Sequence, residues 1–325
     1  MEAIPTIDLA DDPARVITAL AAACSEVGFF QVVGHGVERS AGDAAWRAAR
    51  AFFDLPLADR MAVARRSEGD AYGYVPLQFE TLNRSLGDTN DGADLKETFN
   101  VGPVDPLPRP IVDDGEAWAF APTDWPAALP LMRPAWEAYF REMLALSTRL
   151  MRLFARALGL PEDHFDPCID ESPSALRAIN YPHQDIEPPA GTLRAGAHTD
   201  YGTLTILRQD GAPGGLEVFD HDRDAWIPVP SVPDAFVVNL GDLMQQWTND
   251  RWRSTLHRVV NPPRDVHRDT RRQSMAFFHN ANYHAEIVCL PTCLAPGEQP
   301  HHDPVVAGPH LMTKYHRATA PSAGE

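Results

Sequence analysis

Apolar residues recur at helical spacing in the first half of the chain and at strand spacing in the second. Over residues 13–27 they fall at Val16, Ile17, Leu20, Ala21 and Cys24, one face of a helix that Gly28 would end. The β-branched and aromatic run Phe29-Phe30-Gln31-Val32-Val33 then leads into Gly34-His35-Gly36, a strand followed by a turn. Ser40 is a candidate cap for a second helix over residues 43–54, and a third is expected over 57–66. Residues 67–124 carry many Gly, Asp, Asn and Pro with little periodicity, so long loops are expected there, with short strands near Tyr74 and over 96–101. Residues 129–158 place Trp136, Tyr139, Phe140, Met143, Leu146, Leu150 and Phe154 on one stripe of a long amphipathic helix, stopped by Gly159 and Pro161. A helix of that length needs a broad surface to pack on.

That surface is expected from the remainder of the chain, where short apolar runs separated by Gly, Pro, Asn and Asp predict strands over 176–181, 196–208, 215–219, 226–228, 235–240, 254–261 and 274–278. Closely spaced strands of this kind form a sandwich or barrel, and a jelly roll fits them best. The expected class is mainly β with flanking α-helices: one domain over 1–325, with an N-terminal helix and loop region over 1–125, a jelly-roll core over 175–305, and a C-terminal helix and tail over 306–325. Neither an internal repeat nor a linker divides it.

Composition adds exclusions. A formal net charge of -17 argues against a nucleic-acid polymer or a membrane surface as partner, since both attract basic patches. Four cysteines, Cys24, Cys168, Cys289 and Cys293, are too few for a disulfide framework and lack paired C-x-x-C spacing, so reduced thiols and a cytoplasmic location are expected. The first residues are acidic where a secretion signal would be basic, and no apolar run is long enough to span a bilayer. The expected partner is a small molecule, and the expected assembly a monomer or weak homo-oligomer.

The candidate chemistry begins in RAGAHTDYGTLTIL. His198 and Asp200 are one residue apart, so on an extended strand both side chains would leave the same face and could meet at one ion. His257, in STLHRVVNP, could complete a set of two imidazoles and one carboxylate, which leaves adjacent coordination positions open and suits Fe(II). Taken singly, an H-x-D pair is also an ordinary strand-edge polar pair and a lone histidine an ordinary core residue. Arg272 and Ser274 in RRQSMAFF have the same one-residue spacing. A guanidinium and a hydroxyl on one strand face would grip a carboxylate, whereas the alternative is a buried arginine paired with an internal acid.

The order H-x-D, distal His, R-x-S, together with IPTIDL, VGFFQVVGHGV, DLKETFNVG, the Tyr181-Pro182 pair, GGLEV, VNLGDLMQQWTND and STLHRVVNP, resembles the isopenicillin N synthase-like branch of the Fe(II)/2-oxoglutarate dioxygenases across nearly the whole chain. The resemblance implies a double-stranded β-helix, with His198, Asp200 and His257 as Fe(II) ligands and Arg272 and Ser274 on the distal carboxylate of 2-oxoglutarate. It also implies that Tyr181 contacts co-substrate or substrate. Plant members of that family often have an asparagine two residues before that tyrosine, where this chain has Ile179, with Asn180 displaced by one. The carboxylate at Asp200 argues for hydroxylation or desaturation over halogenation, with O2 as oxidant and succinate and CO2 as co-products. Open alternatives are an oxidase of the same fold that does not use 2-oxoglutarate, an ethylene-forming variant, and a barrel that binds a metal without catalysis.

Other residues invite attention. The adjacent pair His301-His302 is read as pointing apart on a surface loop, Cys289 and Cys293 as core or loop thiols, and one of Phe277 and Phe278 as a candidate pocket wall. Asn83, Arg84 and Asn90, in a polar loop, could face a substrate, and Arg177, Arg208 and Arg253 could face either the barrel or the solvent.

Overall fold

Period-two alternation of side chains organises the core, because one large sheet has its two faces in different environments. The computed structural model describes residues 4–67, 69–77, 79–82, 94–186, 188–189, 191–264 and 269–319. In chain order its elements are β1 (Thr6–Asp8), α1 (Pro13–Glu26), β2 (Phe29–Val33), α2 (Arg39–Phe53), α3 (Leu57–Met61), β3 (Gly73–Val75), β4 (Glu97–Val101), α4 (Asp114–Ala119) and α5 (Met132–Ala157). There follow β5 (Ala175–Tyr181), β6 (Ala195–His198), β7 (Leu204–Gln209), β8 (Leu216–Asp220), β9 (Ala225–Pro228), β10 (Phe236–Leu240), α6 (Asp242–Trp247), β11 (His257–Val259), β12 (Arg272–His279), β13 (Glu286–Ile287), β14 (Val305–Val306) and α7 (Ala307–Thr319). The large sheet has the order β1-β2-β10-β7-β12-β5-β4-β3 and the small one β6-β11-β8-β9. Together they form the expected jelly roll, the fold shared with the solved structures described below.

On the large sheet Leu176, Ala178, Ile206, Val238, Met275 and Phe277 point outward into the main core, where α5 covers them with Trp136, Tyr139, Phe140, Met143, Leu150 and Phe154. Burial of each such side chain stabilises the fold by about 1.5–3 kcal/mol before entropy is subtracted. The alternate residues Ile179, Tyr181, Leu207 and Val237 point the other way, joining Phe29, Leu216, Val218 and Val259 in a second apolar cluster. The space between the sheets therefore receives every second residue of β5, β7, β10 and β12.

Several boundaries differ from expectation. Helix α2 begins at Arg39, with Ser40 already inside it, because Ala41 and Gly42 donate to the Glu38 carbonyl. Helix α3 stops at Met61: Tyr74 donates to Val63 O and Arg65 to Tyr74 O, drawing the next residues into pairing beside β3. Helices α4 and α6 were not anticipated. The Asp113 side chain caps α4, accepting from Glu116 N at 2.8 Å. The expected strand over 196–208 is divided between β6 and β7, which lie in different sheets. The intervening residues bond elsewhere, with Thr203 N donating to His279 O, Asp242 N to Asp200 O and Leu243 N to Gly202 O. Asn83, Arg84 and Asn90 lie outside the described residues. Among those described, no helix is long and apolar enough to cross a membrane.

The N-terminal region buttresses the second sheet at one point. Gly28 has φ 69°, and a Cβ there would run into the Arg253 carbonyl oxygen. The adjacent Val27 carbonyl accepts the Thr255 hydroxyl. Gly28→Ala is expected to destabilise the protein by about 2–4 kcal/mol in denaturant unfolding, since left-handed strain and a backbone collision act together.

Candidate metal and co-substrate site

His198 ends β6 and His257 begins β11, and the antiparallel register sets them directly opposite. Their ring centroids are 4.2 Å apart. Each imidazole is oriented by the same local device. His198 Nδ1 is 2.8 Å from Gly196 O, and His257 Nδ1 is 3.1 Å from Thr255 O, which fixes the proton on Nδ1 and leaves each Nε2 with a free lone pair. The edge of Phe29, with its centroid 5.2 Å from that of His257, supports the second ring.

Asp200 reaches these rings by a route different from the expected one. It lies past the end of β6, in the segment that crosses from the small sheet to the large one, so strand alternation does not place it beside His198. Its Oδ2 instead accepts from Thr205 Oγ1 on β7 at 2.6 Å and from Asn239 Nδ2 on β10 at 2.7 Å. Oδ1 remains turned toward His257, 3.8 Å from Nε2. One ligand atom from each of His198, Asp200 and His257 lies within 4.8 Å of the others, the one such convergence of three metal-capable side chains among the described residues.

The electrostatics suit a cation. Burial, and next the neighbouring His257, pull the His198 pKa down to about 3, so its imidazole is neutral and available as a ligand at ordinary pH. Burial works against charge on Asp200, but the adjacent imidazoles and the hydrogen bonds from Asn239 and Thr205 outweigh it and hold the carboxyl below its usual range.

Arg272 and Ser274 leave β12 on the same side, as expected from their spacing. Arg272 is 1% exposed; its Nη2 donates to Gln209 Oε1 at 2.9 Å and its Nη1 to Ser274 Oγ at 3.4 Å. Among the described residues no carboxylate pairs with it, so the alternative of an internal ion pair does not hold. An isolated buried cation is costly and calls for an anionic ligand. Tyr181, opposite Arg272 in the β5–β12 ladder, has its ring centroid 5.0 Å from that guanidinium and 5.9 Å from Arg194. Arg194 is wholly buried against the carbonyls of Pro213 and Thr270; burial, followed by repulsion from Arg272, draws its pKa down to about 10.

Ile179 lines the same cavity, whereas Asn180 faces the other side of β5, donating to Glu97 Oε1 at 2.7 Å and accepting from Arg271 Nε at 2.7 Å. It does not substitute for an asparagine two residues before Tyr181. Phe278 lines the cavity while Phe277 is buried against Phe140. Arg177 faces the cavity as well, and Arg208 reaches Asp43 instead. The cavity joins the triad to Arg272 and continues past Arg177 to Asn100 and Phe278.

Residues that sequence reasoning did not single out include Thr205, Gln209 and Asn239, each at an inward position of its strand and each visible as a polar interruption in an apolar run. His301 and His302 do not point apart. His301 Nδ1 and His302 Nε2 each lie 2.9 Å from one oxygen of Asp250, in a surface cluster away from the cavity. All four cysteines are free.

Residues 173–281 match the 2OG-Fe(II) oxygenase superfamily, and residues 4–128 match the family described as non-haem dioxygenase in morphine synthesis N-terminal. Homoarginine-6-hydroxylase 2-ODD-233 of Oryza sativa subsp. japonica is 32% identical over 332 residues, covering 96% of this chain and 96% of its own. A full-length Neurospora crassa protein solved in complex with alpha-KG and thymine superposes with a TM-score of 0.82 at 26% identity, over 96% of each chain. JOX2 in complex with 2OG, Fe and JA gives 0.76 at 29% identity, over 98% of this chain and 89% of the other. The chain belongs to the 2-oxoglutarate- and Fe(II)-dependent oxygenases. It is a non-haem dioxygenase that uses Fe(II) and 2-oxoglutarate to oxidise a small molecule.

Removing one anchor of Asp200, as in Asn239→Ala, is expected to weaken divalent-metal affinity by about 10- to 100-fold, measured by competition with a chelator. Binding to the folded state alone also raises stability, by about 2.7 kcal/mol at a hundredfold excess over Kd. The thermal shift produced by Fe(II) or Mn(II) should therefore shrink in Asn239→Ala and vanish in Asp200→Ala.

Proposed function

We propose that His198, Asp200 and His257 hold the ferrous ion, that Arg272 and Ser274 seat the distal carboxylate of 2-oxoglutarate, and that Tyr181 flanks that co-substrate between two guanidiniums. The observation that carries this reading is Arg272, a buried guanidinium with no carboxylate partner among the described residues, on the same cavity as three convergent metal-capable side chains. The donor set fits the metal, since two neutral imidazoles and one carboxylate suit Fe(II) and leave further positions open. When bound, the ferrous ion and 2-oxoglutarate supply the oxygen activation that oxidises substrate with release of succinate and CO2.

The protein's part is positional. The Nδ1 contacts of His198 and His257 hold both rings with Nε2 inward. Thr205 and Asn239 occupy one oxygen of Asp200 and so present the other alone. Gln209 and Ser274 steer the Arg272 fork, which can then bind a carboxylate with parallel hydrogen bonds. The apolar walls, Phe29, Leu82, Ile179, Leu216 and Val259 among them, exclude water from the reacting centre. Asp200 leaves no small-residue gap at the carboxylate position, which supports hydroxylation or desaturation.

Succinate formation and oxygen uptake, each measured with and without 2-oxoglutarate, separate this reading from an oxidase that draws all its electrons from substrate. Turnover indifferent to the keto acid would overturn it. Arg272→Gln is expected to raise the KM for 2-oxoglutarate by about two orders of magnitude through loss of a buried charge-assisted pair, with a much smaller change in metal affinity.

A further inference from the structure

We infer that the end of the chamber beyond the co-substrate is a binding site for the amide edge of a neutral molecule, a lactam or cyclic imide, read by Asn100 and Arg177. This deepens the oxygenase reading and rests on it, because it names the class of molecule that the site oxidises. The first observation is Asn100. It is 2% exposed and lines the chamber, and among the described residues neither its Oδ1 nor its Nδ2 has a hydrogen-bond partner. A buried carboxamide with both functions unmet is costly. The ligand that meets both offers an N–H to Oδ1 and a carbonyl to Nδ2 side by side.

Position supplies the second observation. Asn100 on β4 is directly opposite Arg177 on β5, and Arg177 is opposite Ala276 on β12, so the three share one row across the inner face of the sheet. The row on one side contains Ser274, Ile179 and Gln209; the row on the other contains Phe278, Ala175 and Thr205, whose hydroxyl holds Asp200. Rows on one face are spaced by about 6.8 Å along a strand. A molecule gripped at the middle row is therefore one row from the co-substrate holder and one row from the anchor of Asp200. Ala175 and Ala276 leave space above the sheet there, and the Phe278 ring, with the Arg177 guanidinium 5.5 Å from its centroid, offers a flat seat.

Charge argues for an amide over a carboxylate. Arg177 Nη1 already donates to Glu80 Oε2 at 3.4 Å, and Lys96 Nζ lies 3.5 Å from the same oxygen and 2.6 Å from Asp94 Oδ2. Burial alone would raise the Glu80 pKa, but Arg177, Lys96 and Arg65 hold it down at about 2, so the group stays ionised. An incoming carboxylate would meet that buried anion and the lone pairs of Asn100 Oδ1. A neutral carbonyl can accept from the remaining guanidinium donors without that conflict, while its neighbouring N–H satisfies Asn100.

The test is calorimetric binding to the anaerobic protein loaded with Fe(II) and 2-oxoglutarate, with glutarimide, 2-piperidone and uracil as amide probes, N-methylglutarimide as the blocked analogue and cyclohexanecarboxylate as the acid. At least one amide probe is expected to bind in preference to the acid, and glutarimide to lose at least about tenfold in affinity on N-methylation, the effect of one unmet buried hydrogen bond. Asn100→Leu should abolish the discrimination between glutarimide and its N-methyl form, and Asn100→Ala, which also removes both the acceptor and the donor, should do the same if the leucine variant does not fold. Preference for the acid, no binding of any amide probe, or indifference to N-methylation in the unsubstituted chain would overturn the inference. Fe(II)-dependent binding of 2-oxoglutarate is measured in the same calorimeter before any probe is added. Its absence would sink the reading of the triad, Arg272 and Ser274 as the co-substrate site, whereas its presence with any of those three outcomes would sink the amide site alone.

Discussion

The geometry of the centre depends on one carboxylate shared between two sheets. Asp200 belongs to neither: it sits in the crossing from β6 to β7, with its backbone carbonyl taken by Asp242 N and its side chain taken by Thr205 and Asn239. The two imidazoles come from the small sheet, whereas the groups that hold the carboxylate come from the large one. A shift of one sheet over the other would separate the donors. The packing of α5 on the outer face, the Gly28 turn against Arg253 and the Val27–Thr255 bond all restrict such a shift, although none touches the candidate metal position. Stability and site geometry are thus the same constraint seen at different distances.

The large sheet also sorts chemistry by parity. On β12, Met275 and Phe277 enter the helix-covered core, while Arg272, Ser274, Ala276 and Phe278 face the chamber, and β5, β7 and β10 follow the same rule. One residue of slip would bury a guanidinium under α5 and turn a phenylalanine into the site, so the apolar face specifies the polar one. This explains how buried polar groups persist in a mainly apolar interior: their register is set by neighbours that are energetically expensive to move.

This parity also decides what was legible in the sequence. Arg272 and Ser274 lie on a true strand, so their spacing carried geometric information, and the two side chains do leave β12 on one face. The identical spacing of His198 and Asp200 gave a right pairing for a wrong local reason, because residues 199–203 turn out of the strand to meet α6 and β12. The long helix over the sheet was readable from its stripe, within three residues at its start and one at its end. The early end of α3 was not, since it is imposed by bonds to Tyr74, thirteen residues downstream of Met61. Thr205, Asn239 and Gln209 were recognisable as polar residues on apolar strands, but only the pairing of β7 with β10 and β12 shows what they hold. Asn100 is the extreme case: an unremarked residue of ETFNV becomes notable only when its amide is seen to lack partners.

Two arginines beside one tyrosine give the co-substrate end its electrostatic character. Among the described residues Arg272 pairs with no carboxylate, Arg194 donates to two backbone carbonyls and leaves its Nε without a partner, and the second is already drawn down by burial and by the first. At the opposite end Asp94, Lys96, Glu80 and Arg177 form an alternating buried chain in which each charge has an opposite neighbour. Asp94 also accepts the Gly196 amide at 2.8 Å, tying that chain to the strand that ends in His198. The chamber therefore has one end that gains from an anion and one whose charges are already matched. Under the proposed assignment a dianionic co-substrate would be drawn to the former and a neutral molecule tolerated at the latter, so the field that orients 2-oxoglutarate would also keep it from the place of the substrate.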